Sequence, residues 1–129
     1  MLYTVSSDKD LETVCADLHQ AAAGHKFGVL HVHNLKETMA RKGVEFGPEC
    51  RIFEVCNPHQ AKRVLEQCLE ISTALPCRIS VFVEGNRVKL STVRPSAMIG
   101  MFGQPDLEEV AREVEETILE IMDEAAGRA

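Results

Sequence analysis

The chain has 129 residues and a net charge of −6, and its 45% hydrophobic and 26% charged residues are ordinary globular usage, which predicts one domain over residues 1–129. Residues 106–129 hold nine acidic and two basic residues, whereas the rest of the chain holds 11 acidic and 12 basic ones. The chain has no basic patch, no Trp and one Tyr, so nucleic-acid binding is not expected. It also has no run of ~18 apolar residues, so a membrane span is not expected.

The first predicted elements are a strand and a helix. Residues 2–5 are β-prone and are expected to form a strand at a sheet edge. Ser7, with Asp10 three residues later, resembles a capping box and predicts the start of the helix. Gly24 is placed to end this helix in the left-handed conformation. The apolar positions between them have the spacing of one buried face: Leu11, Val14, Cys15, Leu18 and Ala22.

Residues 27–34 predict a second strand, and residues 35–41 a short helix after it. Alternation divides the strand into two faces, one with Leu30 and Val32 and the other with Val29, His31 and His33. Two histidines on one strand face can act as metal ligands, and Cys56 or His59 would complete a site suited to zinc. Exposed histidines on a half-polar strand are the commoner case, so we predict no metal site.

A third strand over residues 51–56 is predicted to turn abruptly into an amphipathic helix. Asn57 is a good N-cap residue, Pro58 suits the first helical position, and Gln60 can reach back to the cap. The helix is expected to end before Pro76. Its buried stripe is predicted to consist of Ala61, Val64, Leu65 and Cys68.

The last third of the chain predicts a hairpin, a loop and a long helix. Residues 78–83 and 87–93 flank a Glu-Gly-Asn turn, residues 94–105 form an apolar but irregular loop, and residues 106–125 form an acidic amphipathic helix. The resulting order, β-α-β-(α)-β-α-β-β-α, predicts an α+β fold. We expect a single mixed, largely antiparallel sheet of four to five strands, with helices covering one face.

Cysteine usage predicts the compartment. The chain has an odd number of cysteines, with no Cys-x-x-Cys pair, and residues 1–8 do not have the pattern of a secretory signal. This combination indicates free thiols in a reducing, cytoplasmic location. The five cysteines are Cys15, Cys50, Cys56, Cys68 and Cys77.

Cys56 is the first candidate for a functional residue. It precedes the N-terminus of the Asn57 helix, where the helix dipole favours a thiolate and can lower the pKa of the thiol. The backbone amides of that helix N-terminus could also hold an anionic ligand. The alternative is that Cys56 is a small buried hydrophobic residue, since free cysteine is among the most buried residue types.

Cys77 is the second candidate, and its relation to Cys56 depends on strand direction. If the strands over residues 51–56 and 78–83 are parallel, the two thiols lie at opposite ends of the sheet. If the strands are antiparallel, the thiols can meet. The sequence leaves both arrangements open, and burial in the core is the commoner role for a cysteine at this position.

The Cys-Asn-Pro and Leu-Pro-Cys-Arg motifs, in this order and separation, resemble the bacterial and archaeal domain of unknown function numbered 302. The similarity covers about residues 27–124 and includes a Glu-Val-Glu-Glu run at 113–116. It implies a compact α+β domain that is cytoplasmic and homodimeric and has no settled biochemical role. The matching residues are Val29-Leu30, Leu35, Lys42-Gly43, Cys56-Asn57-Pro58, Leu75-Pro76-Cys77-Arg78 with Ile79-Ser80-Val81, and Pro95.

We therefore expect a homodimeric binding module for a small anionic, thiol-reactive or metal ligand. The candidate ligand-binding residues are Cys56, Asn57, Cys77 and Arg78, next to the apolar loop over residues 98–102. The sequence leaves the cofactor unknown. Because the usual nucleophile, metalloprotease and nucleotide motifs are missing, a binding protein is expected more than an enzyme, and the sequence does not decide between them.

Two alternatives remain open. In the first, Cys56 is a nucleophilic thiolate in a redox or sulfur-transfer enzyme, with Cys77 as the resolving thiol. In the second, all five cysteines serve packing, and the last helix forms a dimer seam in a structural or interaction protein.

Overall fold

A computed structural model describes residues 1–128 and contains one five-stranded sheet and five α-helices in that range. The strands are β1 (Leu2–Ser7), β2 (Gly28–Asn34), β3 (Cys50–Cys56), β4 (Cys77–Glu84) and β5 (Arg87–Val93). The helices are α1 (Leu11–Gly24), α2 (Leu35–Arg41), α3 (Pro58–Gln67), α4 (Pro95–Gly100) and α5 (Glu108–Ala126). Short 3-10 helices span Leu69–Ala74 and Pro105–Leu107.

The strands are arranged in the order β1-β5-β4-β3-β2, and every neighbouring pair is antiparallel. β1 is an edge strand, as its short β-prone sequence predicted. β4 and β5 form the predicted hairpin, in which Glu84 pairs with Arg87 and Gly85 has a φ of 63°. The predicted α+β class and element order are confirmed.

The core lies between one face of the sheet and the long helices α1 and α5. Phe53 and Val55 of β3 alternate with half-buried residues and point into this core, as do Ile79 and Val81 of β4. The apolar stripe of the predicted amphipathic helix is buried in α5, and fully burying an aliphatic side chain contributes about 1.5–3 kcal/mol. The stripe consists of Val110, Ala111, Val114, Ile118, Ile121, Met122 and Ala125. Most acidic residues of α5 are exposed on the opposite side, whereas Glu115 and Asp123 are half-buried and contact Ser96 and Tyr3.

The predicted start of α1 is wrong by several residues. The N-cap is Asp10, whose carboxylate accepts a hydrogen bond of 2.8 Å from the Thr13 amide. Ser7 instead ends β1, where its buried hydroxyl donates a 2.8 Å hydrogen bond to the Ala126 carbonyl. Ser7 therefore links β1 to the end of α5, a long-range contact that no local pattern reveals.

The end of α1 also differs from the prediction. Gly24 is the last helical residue but is not left-handed; the left-handed residue is Lys26, with a φ of 65°. The Phe27 amide donates a 2.8 Å hydrogen bond back to the Ala22 carbonyl and closes the turn around Lys26. This closure lets Phe27 enter the core directly after the helix.

A β-bulge in β2 changes the predicted faces of this strand. Val29 pairs with Val55 and Val32 pairs with Phe53, so both valines pack against the core, while Leu30 is the exposed extra residue of the bulge. The expected grouping of Leu30 with Val32 is therefore wrong. The expected grouping of His31 with His33 holds, since their rings contact each other at a centroid distance of 4.4 Å.

The segment over residues 94–105, predicted to be an irregular loop, contains α4 and the first residue of the second 3-10 helix. The Glu115 carboxylate of α5 accepts hydrogen bonds from the amide (3.1 Å) and the hydroxyl (2.6 Å) of Ser96, in the first turn of α4. Arg94 lies 3.5 Å from the same carboxylate. This contact with α5 stabilises α4, a six-residue helix that is too short to be stable by itself.

Among residues 1–128, no helix has the length and apolarity required to cross a bilayer.

Candidate functional site

The turn from β3 into α3 has the predicted cap. The side-chain oxygen of Asn57 accepts hydrogen bonds from the amides of His59 (3.0 Å) and Gln60 (3.2 Å), and Pro58 is the first helical residue. Gln60 does not reach back to the cap as expected. Its side-chain oxygen is buried and has no hydrogen-bond partner among the described residues.

The antiparallel pairing of β3 with β4 brings the two candidate thiols together. Cys77 pairs directly with Val55, so it lies beside Cys56, the next residue along β3. Both cysteines line one cavity of about 30 Å³, together with Asn57, Gln60 and mostly apolar neighbours. Because a single water needs ~10–15 Å³ of such space, this cavity holds about one or two waters and no larger ligand.

A larger cavity lies on the other side of Cys77. It has a volume of about 150 Å³, and its walls are mostly apolar. Cys77, together with Leu75, lines both cavities. The remaining walls include Arg78, Val93, Pro95 and Met98.

Arg78 is the charged residue of this cavity. Its side chain is 55% exposed, which places the guanidinium at the rim, and its Nε lies 3.5 Å from the Glu54 carboxylate. The same carboxylate lies 3.4 Å from the His33 ring. The site therefore combines an apolar interior with a partly neutralised positive charge at the entrance.

Both candidate thiols are held in the neutral form. Burial raises the pKa of the Cys56 thiol. Burial, and then the negative charge that Cys56 would carry, raise the pKa of Cys77 to about 11. The expected lowering of the Cys56 pKa at the helix N-terminus is therefore wrong in direction, because burial disfavours the charged thiolate.

The apolar segment over residues 98–102, which was predicted to lie next to the site, only partly lines the larger cavity. Met98 and Ile99 of α4 line the larger cavity, whereas Met101 is 73% exposed and Phe102 packs against the core. The part of the segment next to the cavity is therefore the inner face of α4.

His31 and His33 lie away from the thiols, with Glu54 as their acidic neighbour. His31 pairs with Glu54 in the β2–β3 ladder, and His33 contacts its carboxylate. Among residues 1–128, no group of three or more histidine, cysteine or acidic side chains is arranged to hold a metal ion.

Sequence reasoning missed three contributors to the site. Glu54 orients Arg78 only because β3 and β4 pair in one register, and Val93 reaches the cavity from β5. Gln60 places a buried oxygen beside the thiols. Glu54 and Val93 belong to no local motif, and the cap motif assigned a different role to Gln60, so only the strand register and the α3 packing reveal these contributions.

The comparisons with known proteins agree with the fold. Residues 3–125 match the model of a family described as Domain of unknown function DUF302. The chain is also similar to a solved structure of an uncharacterized conserved DUF302 protein from Bacillus stearothermophilus. The two have 31% sequence identity and a TM-score of 0.92, and the match covers 96% of this chain and 97% of that one. A search of curated proteins finds no match. The chain belongs to the DUF302 family.

Proposed function

We propose that this protein is a single-domain, homodimeric binding module for a small molecule with an apolar body and one anionic group. The apolar body occupies the 150 Å³ cavity beside Cys77, and the anionic group contacts Arg78. The observation that carries this proposal is the combination of a mostly apolar cavity with an arginine at its rim.

The volume limits the size of the ligand. A dry apolar cavity of about 150 Å³ accommodates a molecule of roughly benzene size. A ligand whose apolar part has about six carbon atoms fits this space. Apolar contacts then supply most of the affinity, at about 25 cal/mol per Å² of apolar surface removed from water.

The positive charge of Arg78 limits the chemical class of the ligand. Arg78 approaches Glu54 through Nε, while its two terminal nitrogens extend further and can pair side by side with a carboxylate. Burial keeps the Cys77 thiol neutral, so the cavity interior does not repel an anion at its entrance. A small carboxylate is therefore the preferred ligand class.

A binding assay with matched variants tests this proposal. Benzoate and hexanoate are the probes, benzamide and hexanamide are their neutral counterparts, and the readout is the thermal unfolding midpoint. We expect the carboxylates to raise the midpoint more than the amides, because a ligand that binds only the folded state stabilises it.

Arg78→Gln should remove that difference. Arg87→Gln should not, although Arg87 has a similar exposure, 53%, and also pairs with a carboxylate, that of Asp8. Equal stabilisation by carboxylates and amides, or equal responses of the two variants, would contradict the role of Arg78.

The family match over nearly the whole chain supports the single-domain part of the proposal. All five cysteines are free, which supports a reducing, cytoplasmic location.

A thiol redox role is the second candidate, and the shared cavity of Cys56 and Cys77 favours it. In this reaction Cys56 attacks a peroxide, is oxidised to a sulfenic acid and reduces the peroxide oxygen that leaves as water or alcohol. Cys77 then attacks the sulfenic sulfur, the sulfenic oxygen leaves as water, and a disulfide forms.

Stoichiometric hydrogen peroxide followed by mass mapping tests this candidate. A 56–77 disulfide that forms in the wild type within minutes would support it. Unmodified thiols after that exposure would contradict it, and the raised pKa values of both thiols favour this second result.

A further inference from the structure

One face of the sheet is not covered by α1 and α5, and we call it the open face. Strand side chains alternate between the core and this face, so the neighbours of the buried strand residues point outward. The centre of the open face consists of Cys50, Ile52, Ser80, Phe82, Ser91 and Val93. We propose that two copies of this chain associate through their open faces, an inference that rests on the homodimer in the proposed function.

The open face has the shape of an interface. It contains a shallow, mostly apolar groove of about 380 Å³. Ser80 and Ser91 pair across β4 and β5 and form a low centre, and Ile52 and Phe82 stand beside it. Leu2, at the sheet edge, is 62% exposed and lines the same groove. Half-exposed apolar side chains that line one groove beside an exposed leucine are the kind of surface that an association site presents.

A second copy fits this surface because its relief is self-complementary. In a two-fold dimer the same patch serves both partners. The bulky side chains of Ile52 and Phe82 in one copy can therefore enter the low serine centre of the other. Sheets that pack face to face in this way interdigitate side chains at a spacing of about 10 Å.

The charge distribution favours this face over the last helix. The excess acidic residues lie in residues 106–129, and α5 carries them on the side of the molecule away from the open face. Its apolar stripe is buried within the chain, so an α5 seam would bring two acidic surfaces together. Contact through the open faces keeps them apart. On the open face, acids and bases are paired within the chain, as in Lys89–Glu84 (2.6 Å) and Arg78–Glu54 (3.5 Å).

The area is sufficient for a modest dimer. Five strands at a spacing of ~4.8 Å and strands of ~6–7 residues at ~3.4 Å give a flat area of about 500 Å². Standard interfaces bury about 800 Å² per partner, and weaker ones bury less. We therefore expect dissociation at low protein concentration.

The open face is continuous with the ligand cavity. Arg78 and Val93 line both the groove and the 150 Å³ cavity. A second copy on the open face would therefore lie against the rim where the anionic group is proposed to bind.

Sedimentation equilibrium over a range of concentrations, combined with a matched pair of variants, tests the interface. Ser80→Arg puts a long charged side chain in the middle of the open face. Ser72→Arg makes the same change at an exposed position of the Leu69–Ala74 helix. We expect dimers for the wild type and Ser72→Arg and monomers for Ser80→Arg, with circular dichroism confirming that all three are folded.

Alkylation provides a second readout that needs no substitution. Cys50 lies on the open face, whereas Cys68 lies at the end of α3 and packs against the core. The rate of Cys50 labelling should fall several-fold as protein concentration rises through the dimerisation range, while Cys68 labelling stays constant.

The outcomes separate the interface from the proposed function. A dimer that Ser80→Arg leaves intact, with Cys50 labelling independent of concentration, would overturn this interface and leave the homodimer standing. A wild-type monomer at every concentration would overturn both. Dimerisation through the open face without any stabilisation by benzoate or hexanoate would support the interface and contradict the ligand.

Discussion

Cys56 and Cys77 share one cavity at the end of the β3–β4 pair, and the charge of Cys56 as a thiolate would raise the pKa of Cys77. Each thiol therefore disfavours ionisation of the other, in surroundings that already disfavour it through burial. A reactive pair needs the reverse arrangement, in which a nearby positive charge stabilises the thiolate. The geometry thus suits cavity walls better than a nucleophile.

We predict slow alkylation of both thiols at neutral pH. At pH 7 a thiol with a pKa of about 11 is ionised in only about one molecule in ten thousand, and the thiolate is the reactive form. Iodoacetamide labelling of the native protein, mapped by mass spectrometry, should modify Cys77 orders of magnitude more slowly than in the unfolded chain. Cys56 should also be slowed. Rapid native labelling of either thiol at pH 7 would contradict the neutral-thiol description and revive the redox alternative.

Stability should fall in alkaline solution because of Cys77. The unfolded chain loses the thiol proton near the usual pKa of 9.0, whereas the folded chain keeps it up to about 11. Between these values the folded state binds more protons, so the free energy of unfolding decreases as pH rises. A shift of this size corresponds to at most about 2–3 kcal/mol.

Urea unfolding between pH 8 and about pH 11 measures this effect. Cys77→Ala should have a shallower decline over the same interval because it lacks the titrating group. Parallel declines for the wild type and Cys77→Ala would show that the pKa of Cys77 is not raised in the folded state.

Glu115 should be important for holding α4 on α5. Its carboxylate accepts both hydrogen bonds from Ser96 and lies 3.5 Å from Arg94. Glu115→Ala should cost about 1.5–3 kcal/mol, the range for hydrogen bonds to charged groups. Glu116→Ala, at the adjacent exposed position, should cost less than ~0.5 kcal/mol. Equal losses in urea unfolding would contradict this role.

The same carboxylate should also contribute to the acid side of the stability profile. Burial would raise the pKa of Glu115, but the Ser96 hydrogen bonds and the Arg94 charge outweigh it and lower the pKa below its usual 4.5. The stabilisation is therefore present above the unfolded pKa and is lost as pH falls through the folded pKa. As pH falls below 4.5 and through the lowered pKa of the folded state, the difference between the wild type and Glu115→Ala should shrink.

Local signals in the sequence were sufficient for most elements of the fold. The cap at Asn57, the hairpin turn at residues 84–86 and the stripe of α5 each depend on neighbours in the chain, and each was predicted correctly. The errors share another cause. Ser7, Lys26 and Ser96 take their conformations from hydrogen bonds or turns that only the folded arrangement defines.

In the candidate site, too, local sequence predicted the residues, whereas their arrangement and pKa values depend on the fold. Cys56, Asn57, Cys77 and Arg78 were named from two short motifs, and three of the four line the smaller cavity while Cys77 and Arg78 line the larger one. Whether the thiols meet depended on strand direction, which two isolated strand patterns do not encode. The raised pKa of Cys56 was not predicted because a sequence shows where a helix begins but not how far a side chain is buried. Burial is the cause of the raised pKa, and it is known only from the packed structure.

The most direct measurement of the central claim is an NMR titration of the protein labelled at its methionine methyl groups. Met98 lines the 150 Å³ cavity, Met101 is exposed and Met122 is fully buried, so one spectrum contains the reporter and two internal controls. With benzoate, we predict a saturable shift of the Met98 methyl signal alone, at a concentration at least several-fold higher in Arg78→Gln. An unchanged Met98 signal at saturating benzoate, or equal shifts of all three methyl groups, would contradict binding in this cavity.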